Sequence, residues 1–160
     1  MHPIEDTETL RPSRRDFCVH ACQAASLVAA GGLWQACGGS SMSPSNATNL
    51  PTINGAASSG TLSLTIDAAS PLAAVGSAAL VNSSGANVLV SRTAQDTFTA
   101  VTAVCTHEAC TINGISGSIY VCPCHGSQFS ATGGVVKGPA AQPLRQFTTR
   151  FSGNVLTITV

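Results

Sequence analysis

A chain of 160 residues with seven basic, seven acidic and four histidine side chains has room for one modest domain and a tail. Its formal net charge of zero excludes a nucleic-acid partner held by phosphate electrostatics. Only 9% of the residues are charged and 4% aromatic, a composition of short strands and turns around a small core that gains from a covalent or metal staple.

The N-terminus reads as an address. Ser13-Arg14-Arg15-Asp16-Phe17 precedes a run from Cys18 to Cys37 that has no Lys, Arg, Asp or Glu, the basic-then-apolar order that resembles a twin-arginine export signal. Residues 1–37 are therefore expected to be a signal peptide or a membrane anchor. The uncharged run is about long enough to span a bilayer, but His20, Gln23, Gln35 and its glycines make it a poor span. Cys37, where the run ends, is in the position of a lipid-modified first residue of a mature lipoprotein. Ala36 suits that reading, while Trp34 stands where Leu is usual. Either a lipid or a retained helix would tether the domain to a membrane. Residues 38–60 are rich in Ser, Asn, Gly and Ala with almost no charge, and are expected to be a flexible linker.

From Thr61 the pattern changes to alternation. "TLSLTI" from Thr61, "NVLVS" from Asn87, "TFTAV" from Thr97, "SIYV" from Ser118, "QFTTRF" from Gln146 and "VLTITV" from Val155 predict strands. "NSSGAN", "TAQD" and "INGISG" predict turns between them, and Gly153-Asn154 suits a tight hairpin. No segment of helical period remains after the leader. The expectation is an all-β antiparallel domain over residues 61–160.

Seven cysteines divide by region: Cys18, Cys22 and Cys37 in the leader, and Cys105, Cys110, Cys122 and Cys124 in the domain. Two of the four histidines, His2 and His20, also precede the domain, which leaves it His107 and His125. Core packing alone does not explain soft ligands gathered so closely. A reduced cysteine cluster, two disulfides and a zinc-stapled binding module with a Cys2His2 site are the competing readings, although zinc has no need of two spare thiols. Cys105-x-His107 and Cys122-x-x-His125 can each present a chelating pair from a loop tip. Cys110 and Cys124 then lie just behind those tips, where a disulfide could clamp one loop to the other.

"CTHEAC" (105–110) and "CPCHGSQF" (122–129) resemble both boxes of the Rieske 2Fe-2S family of the high-potential, disulfide-containing kind. "GPAAQPL" (138–144) is similar to that family's third loop, with Pro139 beside the cluster. The resemblance implies an antiparallel β-sandwich with a cluster-binding subdomain of two loops. It implies one 2Fe-2S cluster, with Cys105 and Cys122 on one iron, His107 and His125 on the other, and Cys110 paired with Cys124. Two ferric ions, two sulfides and two thiolates sum to zero charge when both imidazoles are neutral. Such a cluster takes an electron more readily than one with four thiolates, at about −150 to +300 mV against about −400 mV.

The same resemblance places Ser127 where a hydroxyl donates toward a cluster sulfide, and Phe129 where respiratory relatives carry a hydrogen-bonding tyrosine. Phe cannot donate, which lowers the expected potential. Glu108 and Ala109 replace the usual Leu-Gly, and a carboxylate there argues against an apolar quinol-docking tip. The implied function is an exported Rieske protein, periplasmic or tethered to the outer side of the cytoplasmic membrane, that carries single electrons between redox proteins and leaves catalysis to a partner. The alternatives are the small subunit of an exported oxidoreductase resembling arsenite oxidase, and the Rieske subunit of a cytochrome bc complex. The partner is accordingly a cytochrome, an oxidoreductase large subunit or a bc-type complex.

Overall fold

The computed structural model describes residues 46–160. The expected leader, with Cys18, Cys22 and Cys37, lies outside the described residues. Among the described residues the chain forms strands, turns and no helix, so no helix there is long and apolar enough to cross a membrane.

The alternating segments become β4 (Thr61–Thr65), β6 (Val88–Ala94), β7 (Thr97–Thr102), β9 (Ile119–Val121), β12 (Gln146–Ser152) and β13 (Val155–Thr159). In β4, Leu62 and Leu64 are buried while Ser63 between them is exposed, the expected period of a strand with one face on a core. Asn154 at φ 67° and Gly153 at φ 53° form the tight turn joining β12 to β13, which the Gly-Asn pair tolerates sterically.

These strands belong to a sheet in which β2 (Thr52–Asn54), β5 (Ala78–Asn82), β6, β7, β12, β13, β4 and β3 (Ala56–Ser58) are neighbours in that order. β12 turns a corner: Gln146 and Phe147 pair with β7, whereas Thr148 to Ser152 pair with β13. The sheet therefore folds over into the two layers of a β-sandwich. Leu62, Leu64, Val81, Val88, Val90, Phe98, Leu156 and Ile158 fill the space between them. Every pairing is antiparallel except β2 with β5, which is parallel.

The other corner is closed by the segment expected to be linker. Residues 48–58 carry three short strands rather than free chain, which moves the start of the folded domain toward the N-terminus. β2 lies on β5, β3 lies on β4, and Gly55 between them donates its N–H to Asn82. Main-chain pairing is enough to hold such a segment, so its small polar side chains gave no hydrophobic signal. Gly55 is required there, because a Cβ would sit 2.9 Å from Leu62 Cδ2 and 3.1 Å from Val81 Cγ1. Gly55→Val should cost about 1–3 kcal/mol by overpacking, read as a lower denaturant midpoint. An unchanged midpoint would show that this segment does not close the sandwich.

β5 shows no alternation for a related reason. Its residues Ala78 to Val81 are all buried, because Ala79 and Val81 face the sandwich interior while Ala78 and Leu80 face a second core. A strand covered on both faces reads as a continuous apolar run. The second core lies under a smaller sheet of order β1 (Thr48–Asn49), β8 (Gly114–Ser116), β9, β10 (Gln128–Phe129) and β11 (Val135–Lys137). β8 falls inside the predicted "INGISG" turn. Three loops, which follow β7, β9 and β11, gather at this small sheet, and the first two carry the cysteines and histidines.

Candidate metal centre

Both Cys/His stretches fold into the same kind of closed loop. In the first, Cys105 N–H donates to the Cys110 carbonyl (2.8 Å) and Ala109 N–H donates to the Cys105 carbonyl (2.9 Å). In the second, Cys122 N–H donates to the Ser127 carbonyl (2.8 Å) and Gly126 N–H to the Cys122 carbonyl (3.0 Å). Ala109 and Gly126 occupy equivalent places and turn the chain back through φ 55° and φ 73°. Glycine does this freely, whereas the alanine carries about 1–2 kcal/mol of strain.

The loops sort their side chains by depth. Cys105 and Cys122 are free and buried, packed in the second core with Ile112, Tyr120 and Phe129. His107 and His125 are exposed at the tips, their rings edge to face with centroids 4.9 Å apart. Cys110 and Cys124 form a disulfide across the two loops, with Cα atoms 6.5 Å apart. The sulfurs of Cys110, Cys122 and Cys124 lie within 4.8 Å of one another, but the disulfide consumes two of them, so the remaining thiol donors are Cys105 and Cys122.

Burial pushes the Cys122 thiol up, and the neighbouring Cys105 thiol raises it further, while the N–H groups of Cys124 and His125 pull the other way. The Cys122 thiol therefore resists losing its proton unless a cation compensates the charge. The N–H donors aimed at Cys122 are placed for a metal-bound thiolate. On the solvent side, His125 Nε2 lies 3.8 Å from Glu108 Oε2. A buried thiol pair and an exposed imidazole pair suit a two-iron cluster with unlike ends.

The third loop, between β11 and β12, is held against both others. Thr106 Oγ1 donates to the Gln142 carbonyl (2.6 Å), and Ala140 N–H donates to Ser127 Oγ (3.0 Å). Ser127 is buried, so its oxygen accepts from Ala140 and its own proton remains to be donated inward. Pro139 follows a cis bond to Gly138 in this loop and is exposed. Phe129 is buried in the second core beside its β-sheet partner Tyr120.

The fold thus gathers Cys105, His107, Glu108, Cys110, Cys122, Cys124, His125, Ser127 and Phe129 at one end of the small sheet, with Pro139 in the adjoining loop. Three contributors carry no sequence signal as site residues. Thr106 and Ala140 act through loop-to-loop hydrogen bonds, and Tyr120 anchors the small sheet to the sandwich by a hydrogen bond with Ser91 (2.5 Å). Burial pushes the Tyr120 phenol up to about 12, so it stays protonated at any working pH.

Comparison with known proteins gives a consistent set of likenesses. Residues 65–148 match the family model described as the Rieske 2Fe-2S domain. A cytochrome b6-f complex iron-sulfur subunit of Chlorobaculum thiosulfatiphilum is 42% identical over 62 residues, 38% of this chain and 34% of that protein. The subunit of the same name from Prochlorococcus marinus (strain NATL1A) is 54% identical over 41 residues, 25% of this chain and 23% of that protein. The chain spans about a third or less of these relatives' length. The cyanobacterial plasma membrane Rieske protein of Synechocystis PCC 6803 is 35% identical, with a TM-score of 0.47, 52% of this chain and 86% of that chain covered. Naphthalene 1,2-dioxygenase shares the fold at 21% identity and a TM-score of 0.51, over 61% of this chain and 25% of that chain.

Proposed function

Because the chain belongs to the Rieske 2Fe-2S domain family, we propose that it is a single-electron carrier between redox proteins, exported across the cytoplasmic membrane and without a substrate pocket of its own. The observation that carries this reading is the pair of buried free thiols beneath two exposed histidines, with a disulfide already spanning the two loops. The bound cluster supplies one electron at a time at a mid to high potential. Cys105 and Cys122 would hold one iron of the cluster, and His107 and His125 the other. The disulfide fixes the spacing of the loops, and the third loop shields the remaining side.

The leader motif Arg14-Arg15 supports export of an already folded domain, and a disulfide persists in the oxidising space outside. Cys37 is the proposed lipid site. The relatives named as cytochrome b6-f subunits favour a second reading, membership of a quinol-oxidising complex. Glu108, with its side chain 62% exposed at the tip, opposes an apolar quinol-docking surface there and supports the carrier reading.

A spectroelectrochemical titration of the purified, cluster-loaded protein tests the proposal. Reversible bleaching with a one-electron Nernst slope and one electron per chain is expected. Zinc in place of iron, or no reversible electron uptake, would overturn it. In the same experiment Ser127→Ala should lower the midpoint potential and Phe129→Tyr should raise it, since hydrogen bonds toward the sulfurs offset the charge of the added electron. Movement of both in the opposite direction would show that neither residue faces the sulfurs.

A further inference from the structure

We propose that Glu108 makes the cluster tip selective for a redox partner with a basic docking face, a Lys or Arg side chain beside the partner's own redox centre. This deepens the electron-carrier reading and rests on it. The described residues contain three acidic side chains, and they are segregated. Asp67 and Asp96 line one cleft together with Arg92, and Asp96 lies in the turn between β6 and β7. The first cluster loop, which carries Glu108, follows the opposite end of β7, so that cleft is separated from the tip by the length of the strand, on the order of 20 Å.

Glu108 is the one acidic side chain on the three loops at the tip. The exposed residues of the third loop, Gly138, Pro139, Ala141, Gln142 and Pro143, are all neutral; the cations flank the loop, with exposed Lys137 at the end of β11 opposite Gln128 and Arg145 lying over the Phe147 ring, 4.7 Å from its centroid. The Glu108 carboxylate stands 3.8 Å from His125 Nε2, on the solvent side of the imidazole pair through which an electron would leave. An approaching redox centre therefore meets this charge first.

The sign has a consequence for turnover. With neutral imidazoles the oxidised cluster adds no charge and the reduced cluster adds one negative charge, so the tip is more negative before the electron leaves than after. A basic partner is held more strongly by the electron-loaded protein and released more readily once the electron has passed. An acidic partner face meets repulsion that is greatest in the reactive state.

The test uses the cluster-loaded full chain, reduced and then mixed in a stopped-flow instrument with one of two one-electron oxidants. Tris(phenanthroline)cobalt(III) is a trication and hexacyanoferrate(III) a trianion; in each case one electron passes from the cluster to the metal complex. At low ionic strength Glu108→Gln should lower the ratio of the cation rate to the anion rate by about ten-fold, an effect that high salt removes. Asp96→Asn, which deletes the same charge at the far end of β7, should change the ratio by less than about two-fold at that separation. An unchanged ratio in Glu108→Gln, or an equal shift in Asp96→Asn, overturns the proposal while leaving the carrier reading intact. Failure of both oxidants to react with the reduced protein overturns the carrier reading and this proposal with it.

Discussion

His107→Ala and His125→Ala should each yield a folded chain without the visible absorption of a 2Fe-2S cluster, whereas Cys18→Ser and Cys22→Ser should retain it. The loops that present the histidines are closed by main-chain hydrogen bonds of 2.8 to 3.0 Å and by the disulfide. Removing an exposed imidazole therefore opens an iron position without dismantling the loop. Far-ultraviolet circular dichroism unchanged within error, with iron content falling toward zero, is the expected pair of readings. A full complement of iron in either histidine variant would contradict the ligand assignment. Cys18 and Cys22 precede the domain, and full iron content in both serine variants completes the contrast.

Loss of the disulfide should have the next largest effect. A cross-link of sequence separation 14 contributes about 2–4 kcal/mol by restricting the unfolded chain, and here it also holds the two ligand loops at a fixed spacing. The double variant Cys110→Ser, Cys124→Ser leaves no stray thiol to compete for iron. It should assemble a cluster that decays several-fold faster at elevated temperature, followed as loss of absorption. An unchanged half-life would show that the hydrogen bonds from Thr106 to Gln142 and from Ala140 to Ser127 are sufficient to hold the loops together.

The candidate site was legible because its chemistry is local in sequence. Cys105 to Cys110 and Cys122 to Ser127 each form one loop, so the motif and the structural unit coincide. The strands with one exposed face, such as β4 and β13, were legible for the same reason: Leu62, Leu64, Leu156 and Ile158 alternate with polar residues. What could not be read depends on contacts distant in the chain. β5 is buried on both faces only because a second core forms over it, and β2 and β3 exist only because β5 and β4 offer open edges to a segment of small residues. Gly55 looked like linker composition, and its reason is the close approach of Leu62 and Val81. The third loop was recognised by its sequence, but the contacts that fix it, through Thr106 and Ala140, link residues 36 and 13 positions apart.

Sharing of one 2Fe-2S cluster by two cysteines and two histidines of this chain is open to a direct reading by pulsed electron paramagnetic resonance of the reduced protein. A spin-half signal with strong coupling to two imidazole nitrogens is expected, one of which disappears or is replaced when His107 or His125 is exchanged for cysteine. A reduced-cluster signal without strongly coupled nitrogen, or a protein that binds zinc and gives no signal, would contradict it.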